Sequence, residues 1–444
     1  MVTDSSTTGA SALAPVLRPE GWELLRRLSD ELGDHRAYRD ADALRWSTQL
    51  RGEGHDPETV AAVLTQLRLR SRAVEKFGPF TDHMVFTDDG LQQATRLSVA
   101  ARHAHRFQDA GVTSVADLGC GLGADALAMA ALELNVTAVE MDESTAAAAT
   151  INLMPFPNAT VICADALDWH DGLDESSRPE AYWLDPARRV LDGSSTDTTG
   201  GSTRIFDPEA FSPPLSFVER LADTGAPVGV KLGPGLPHAA IPETAEAQWI
   251  SVDGSLLETV LWFNAVRRDD VRRGALVIDA AGSTSELISA ADFDDDPEVP
   301  ISGREGIAGY LYEPDSAVIR SGLIRQLVAD TFGSVGGRML DEHIAYFCAD
   351  EPVSTPFATG YRVLDVLPYS VKGLRRWVQE QSMTRLDIKK RGVDVVPEEL
   401  RRLLMSGQKK KQKKSGGSTP APRTATLVLT RVGEDRLAVV VEPV

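Results

Sequence analysis

A chain of 444 residues exceeds one typical domain of about 150 and predicts two or three, each long enough to bury a core. Its 42% hydrophobic and 25% charged residues match ordinary globular composition, which excludes a wholly disordered, collagenous or disulfide-scaffold protein. The formal charge of −19 repels phosphate backbones and anionic membranes as a sum, although it is unevenly distributed along the chain.

Cys120, Cys163 and Cys348 lie far apart with no CxxC, so neither a disulfide framework nor a zinc knuckle is indicated, and a reducing, cytoplasmic compartment is expected. Residues 1–17 carry no Lys or Arg, unlike the basic start of a signal peptide. No apolar run approaches the roughly 18 residues of a membrane span, so no membrane association is expected. The eight histidines show no HExxH-like spacing, and no metal is expected.

In chain order, residues 1–16 read as a disordered terminus and 17–108 as helical. Asp56 and Pro57 supply an N-cap and an N1 proline, and Val60, Val63, Leu64 and Leu67 follow at helical spacing. Arg68, Arg70, Arg72 and Lys76 read as a solvated helix face. Asp88, Asp89 and Gly90 open a further helix predicted to run through Phe107.

From Thr113 the pattern changes to short apolar runs separated by helical stretches: SVADL, VTAVEM, ATVIC, AYWLD, APVGVKL, AQWISV and ETVLWF. Continuous apolar strands alternating with helices predict an α/β domain, 109–290, with a mostly parallel sheet covered on both faces. Asp192–Thr203 reads as a surface loop, and the acidic stretch Asp292–Asp296 as a boundary. Residues 305–444 predict a small α+β domain, with a helix over Ser316–Thr331 and a basic loop at 408–414. Lys372–Lys414 holds 14 Lys/Arg against 5 Asp/Glu, a local balance of +9 that leaves −28 elsewhere.

The chemistry-bearing segment is Asp117-Leu-Gly119-Cys-Gly121-Leu-Gly123, between SVADL and a helix. Its glycines permit a tight turn and a close ligand approach. Gly119, Gly121 and Ala124 also satisfy the dinucleotide fingerprint GxGxxG/A, but Asp117 at the strand end would repel a pyrophosphate. S-adenosylmethionine has no phosphate there; its ammonium and sulfonium complement Asp117, while its carboxylate can use the helix N-terminus. Glu140 ends the next strand about 20 residues on, where an acid accepts from ribose hydroxyls. Asp165 follows ATVIC and is placed to reach an adenine amino group or to cap the next helix.

With DLGCGLG, AVEMD, CADAL and WLDPARR in this order, Thr113–Phe263 resembles a class I S-adenosylmethionine-dependent methyltransferase. The resemblance implies a Rossmann-like core of seven strands with the last antiparallel, preceded here by the helical segment and followed by the α+β domain. It implies that Asp117, Gly119, Gly121 and Gly123 hold the methionine part of S-adenosylmethionine, Glu140 the ribose and Asp165 the adenine, with Met141 on the adenine face. Asp185-Pro186 resembles the acid-proline motif of amino-group methyltransferases, where the acid and adjoining carbonyl align the target amine, so both are candidate catalytic residues. Ala187 and Arg188 depart from that motif's second proline and aromatic. Arg188, Arg189 and Lys231 are candidate substrate contacts, with Glu258 beside Lys231 in the expected topology.

The arrangement from Val60 onward also resembles bacterial methyltransferase-like proteins with a C-terminal THUMP-like domain, through EKFGPFTDHMVFTDDGLQQATR, YLYEPDSAVIRSGL and RLDIKKRGVDVVPEELRRLL. THUMP domains bind RNA, so the resemblance implies an RNA partner, transfer or ribosomal RNA. Two other readings stay open: a non-catalytic RNA-binding or assembly factor, and a methyltransferase acting on a protein or small molecule.

Overall fold

The computed structural model describes residues 13–188, 208–406 and 423–444, which divide into two units: the chain up to Glu246 with Val260–Asp269, and Ala247–Thr259 with Asp270–Val444. Residues 1–12, most of the expected disordered terminus, lie outside the description, but 13–17 are helical, with Leu13 and Val16 buried. The loop Asp192–Thr203 and the basic run 408–414 also lie outside it.

In the first unit the helices α1 (Pro19–Leu32), α2 (Asp40–Gly52) and α3 (Pro57–Phe77) precede the sheet. Asp56 caps α3 by accepting from the Thr59 amide, as its sequence predicts, and Val60, Val63 and Leu67 are buried. Of the basic residues that follow, Arg68 and Arg72 lie on an exposed face as expected, whereas Arg70 does not. Arg70 is buried and donates to the Met84 carbonyl and to Ser29, while Arg68 and Arg72 both pair with Asp88. The predicted helix from Asp88 to Phe107 is two helices, α4 (Asp88–Gln93) and α5 (Leu97–Asp109), broken at Ala94-Thr95-Arg96. The break follows from tertiary contact: the Lys76 ammonium donates to the carbonyls of Leu91, Gln92 and Ala94, satisfying groups that a continuing helix would have used.

Strands β1 (Ser114–Leu118), β2 (Asn135–Glu140), β3 (Ala159–Cys163), β4 (Ala181–Leu184) and β5 (Val228–Leu232) form a parallel sheet in the order β3-β2-β1-β4-β5. The order reverses at β1, which opens the crevice where such sheets bind ligands. Helices α6 (Ala124–Ala131), α7 (Glu143–Leu153), α8 (Ala166–Asp171) and α9 (Leu215–Asp223) follow β1, β2, β3 and the segment after β4. Trp183, Trp262, Phe107 and His103 pack as one aromatic cluster, with the His103 and Trp183 rings 4.3 Å apart. Gly229 of β5 makes room for it, since a Cβ there would lie 2.7 Å from Trp262 and 2.8 Å from Trp183. Glu246, fully buried, is neutralised by Arg106 and Arg268.

Strands β6 (Glu246–Val252) and β7 (Ser255–Phe263) are joined by the turn Asp253-Gly254, and β7 runs through both units, its Val260–Phe263 end following β5 in the first. In the second unit β6 pairs in parallel with β8 (Arg273–Ile278), which pairs antiparallel with β9 (Thr284–Ser289). All seven expected strands are thus present, and β8 and β9 are additional. The acidic stretch Asp292–Asp296 makes two ion pairs, Asp292 with Arg272 and Asp296 with the buried Arg273.

A separate seven-stranded sheet completes this unit: β10 (Tyr310–Pro314), β11 (Arg338–Asp341), β12 (Ile344–Ala349), β13 (Ala358–Pro368), β14 (Arg385–Lys390), β15 (Thr424–Val432) and β16 (Asp435–Pro443), in the order β11-β12-β10-β13-β16-β15-β14. Period-two alternation assigns its faces. Leu437, Val439 and Val441 join a core with Leu311 and Tyr346, whereas Ala438 and Val440 face α10 (Val371–Glu380) and α11 (Pro397–Met405) through Leu374, Val378, Leu400 and Leu404. The helix predicted over Ser316–Thr331 is interrupted at Gly322, whose φ of +71° ends Ser316–Arg320 before Ile324–Leu327 begins.

Candidate functional site

The site forms where β1 and β4 end side by side. Gly119 (φ +83°), Gly121 (φ +57°) and Gly123 (φ +82°) all occupy left-handed backbone that L side chains rarely adopt, and this turns the chain from β1 into α6. A Cβ on Gly119 would lie 2.9 Å from the Asp185 carbonyl oxygen, so the glycine lets the loop close onto the end of β4. Asn152, buried in α7, donates to the carbonyls of Leu122 and Val85 and accepts from the Val85 amide, tying the loop to the segment that precedes α4.

Asp117 is 1% exposed, and neither carboxylate oxygen has a hydrogen-bond partner of good geometry. Burial pushes its carboxyl well above the usual range; the Asp125 and Asp185 charges add to the rise and Lys231 opposes it. Glu140 ends β2 with one carboxylate oxygen accepting from the Gly121 amide at 3.0 Å and the other from Asp142 at 2.9 Å. Each oxygen retains a lone pair for a further donor. Asp165 caps α8 through Oδ1, which accepts from Leu167 and Asp168. Met141 is exposed, 64%, and is therefore no core residue.

One cavity of about 1240 Å³ brings Gly119, Gly121, Glu140, Met141 and Asp165 together with Asp185, Pro186 and Lys231. Asp117 and Gly123 do not reach its surface, and Glu258, buried in β7, does not line it. Ala187 and Arg188 form a two-residue ladder with Ser212 and Phe211; Arg189 lies outside the described residues. Ala61, Ala62 and Thr65 of α3 also line the cavity, so the helical lead-in walls the site, a role that its amphipathic pattern alone does not announce.

Beside Asp185 runs a chain of polar groups that the sequence motifs do not contain as a set, with Lys231, Thr95 and Asp125 also lining the cavity. Lys231 forms an ion pair with Asp185 and donates to Thr95 Oγ1 at 3.1 Å; Thr95 in turn donates to Asp125 Oδ2 at 2.9 Å, and His103 Nδ1 lies 2.7 Å from Asp125 Oδ1. Thr95, Asp125 and His103 are all buried. Burial works against the Asp125 charge, but the His103 hydrogen bond and charge, Lys231 and Thr95 hold its carboxyl below the ordinary range.

Among the described residues no group of three or more His, Cys, Asp or Glu could hold a metal ion, and no helix is long and apolar enough to cross a membrane. The three cysteines are free.

Comparison with known proteins places this geometry in a methyltransferase fold. Residues 358–443 match the THUMP domain-like family, and residues 9–73 match a domain of unknown function (DUF8688). An uncharacterized S-adenosylmethionine-dependent methyltransferase of Mycobacterium tuberculosis, found in strains CDC 1551 / Oshkosh and ATCC 25618 / H37Rv, is 28% identical over 380 residues, covering 83% of this chain and 92% of the relative. A crystal structure from Porphyromonas gingivalis W83, named provisionally as a methyltransferase, superposes with a TM-score of 0.67 at 17% identity over 91% of this chain and 99% of that one. The chain therefore has the Rossmann-like methyltransferase fold, with a THUMP-like C-terminal part.

The residues present suit S-adenosylmethionine. A glycine-lined turn admits a ligand without Cβ obstruction, and Glu140 and Asp165 line the cavity with acceptor capacity at the ends of β2 and β3, while Asp117 lies buried just beneath the turn.

Proposed function

We propose that this chain, an S-adenosylmethionine-dependent methyltransferase, transfers the methyl group to a base in RNA. The methyl donor supplies an electrophilic carbon on a sulfonium, and the displacement is in line, so the protein's work is proximity and orientation. In this reading Asp117 and the loop Gly119–Gly123 hold the methionine part, Glu140 the ribose, and Asp165 with Met141 the adenine. Asp185 and the adjoining backbone carbonyl at Pro186 accept hydrogen bonds from the target amine and aim its lone pair.

One observation carries the assignment: Asp185-Pro186 ends β4 in direct approach to Gly119, in the same cavity as Glu140 and Asp165. The THUMP domain-like match over 358–443 supports RNA, because that domain type belongs to RNA-modifying enzymes. In the second unit α10 presents Lys372, Arg375 and Arg376 along a shallow groove, a surface suited to phosphate. A protein or small-molecule substrate is favoured by the carboxylates of Glu58, Asp88, Asp89 and Asp142 on the cavity wall.

Labelling extracts of a deletion strain with the purified protein and methyl-labelled S-adenosylmethionine separates the two. Label in stable RNA, abolished by Asp185→Ala while affinity for S-adenosylhomocysteine stays within about threefold, supports the reading. Label in protein or small molecules alone refutes the RNA assignment.

A further inference from the structure

The polar chain beside Asp185 has a direction that hydrogen-bonding chemistry fixes. An ammonium can only donate, so Thr95 Oγ1 must accept from Lys231. Its single hydroxyl hydrogen is then left for Asp125 Oδ2, which accepts it, and the surroundings that hold the Asp125 carboxyl below its ordinary range favour the ionised form. His103 satisfies the other Asp125 oxygen from Nδ1. The Thr95 hydroxyl is thereby oriented from Lys231 toward Asp125, and the series ends with Lys231 on Asp185.

The fold is arranged to deliver Thr95 to this position. Thr95 sits in the break between α4 and α5, and the three carbonyls to which Lys76 donates, at 2.8–2.9 Å, are those of Leu91, Gln92 and Ala94 immediately before it. A continuous helix would satisfy these carbonyls internally and leave Thr95 in helical register. The elements around the site face it with Asp117 from β1, Asp125 from α6, His103 from α5, Lys76 from α3 and Lys231 from β5. Asp185 thus shares its surroundings with two other carboxylates, and Lys231 is a cation in direct contact with it.

We propose that Lys231 acts as a positioning residue: held by Thr95, which Asp125 and His103 anchor, it keeps Asp185 ionised and in one orientation as the acceptor for the target amine. This rests on the reading of Asp185 given above. Both side chains line the cavity, Asp185 32% exposed and Lys231 13% exposed, so Asp185 is the more open of the pair. The arrangement explains why a half-buried lysine, a threonine and a histidine are gathered around a carboxylate that the motif alone describes.

The test uses the full chain labelled with ¹³C at aspartate Cγ, with the Asp185 signal assigned by its loss in Asp185→Asn. An opposite charge in contact lowers a carboxyl by about 1–3 pH units, so Lys231→Met should move the Asp185 titration midpoint up by that amount. Thr95→Val should move it in the same direction by less, and Thr95→Ser and Lys231→Arg should restore it. Where a methyl-accepting extract is in hand, the acid limb of the rate should shift with the midpoint, leaving S-adenosylhomocysteine affinity unchanged. An Asp185 midpoint that is the same in the wild type and Lys231→Met overturns the proposal, as does a rate loss in Thr95→Val that no change of pH recovers and Thr95→Ser fails to rescue. If the midpoint moves as expected but no extract accepts methyl groups, the positioning role stands and the substrate reading fails.

Discussion

Gly119 and Gly121 differ in one respect that makes them a matched pair for mutation. Both have positive φ, so an alanine at either costs about 1–2 kcal/mol for left-handed backbone. At Gly121 nothing lies within 4 Å of an added Cβ, and that cost stands alone. At Gly119 the added Cβ meets the Asp185 carbonyl oxygen at 2.9 Å, which is backbone and cannot swing aside as a side chain would. Overpacking of this kind adds about 1–3 kcal/mol, for a total of about 2–5 kcal/mol at Gly119. Denaturant unfolding of the full chain should therefore rank Gly119→Ala below Gly121→Ala, with the difference in the range of the overpacking cost. Because the displaced carbonyl belongs to the residue assigned to the target amine, Gly119→Ala should also lose more methyl transfer than its S-adenosylhomocysteine affinity accounts for. Equal stability of the two variants would refute the claim that the loop and the end of β4 are in closest approach.

Two further predictions test other parts of the molecule. The Asp125 carboxyl is held below its unfolded value of about 3.9, so its contribution to stability is complete above that pH and disappears as the pH falls through the lower folded value. Asp125→Asn should consequently be destabilised at pH 7, with the gap to wild type closing toward pH 3; a gap independent of pH contradicts the assignment. Replacing Lys372, Arg375 and Arg376 together by Glu should weaken RNA retention and flatten its salt dependence by about 0.7–0.9 for each phosphate no longer neutralised, with the slope in filter binding as the measure. An unchanged slope removes α10 from the RNA surface.

The parallel sheet was legible because strands buried on both faces are continuous apolar runs, as SVADL and AYWL are in β1 and β4, while the more exposed edge strand β3 coincides with the β-branched run ATVIC. The loop was legible because three glycines at positive φ leave a pattern that no other residue type replaces. Thr95 was not, since LQQATRLSVAARHAHRF holds no glycine or proline and reads as one helix; only the Lys76 ammonium, distant in sequence, breaks it. Arg70 was misread for the same reason, because a basic residue at helical spacing looks solvated until its carbonyl partner at Met84 is known. Gly322 did carry a signal, and the periodicity of Ser316–Thr331 masked it. Asp165 had two readings in sequence and takes both, capping α8 and lining the cavity at once, while Met141 is exposed on the cavity wall.

The central claim is that the cavity beside Asp117, Glu140 and Asp165 takes S-adenosylmethionine. Calorimetric titration of the full chain with S-adenosylhomocysteine tests it most directly. The account predicts saturable binding of one ligand per chain, weakened strongly by Glu140→Ala and little affected by Lys231→Arg. Absence of binding heat at any temperature tried, together with no shift in thermal unfolding at millimolar ligand, would contradict it.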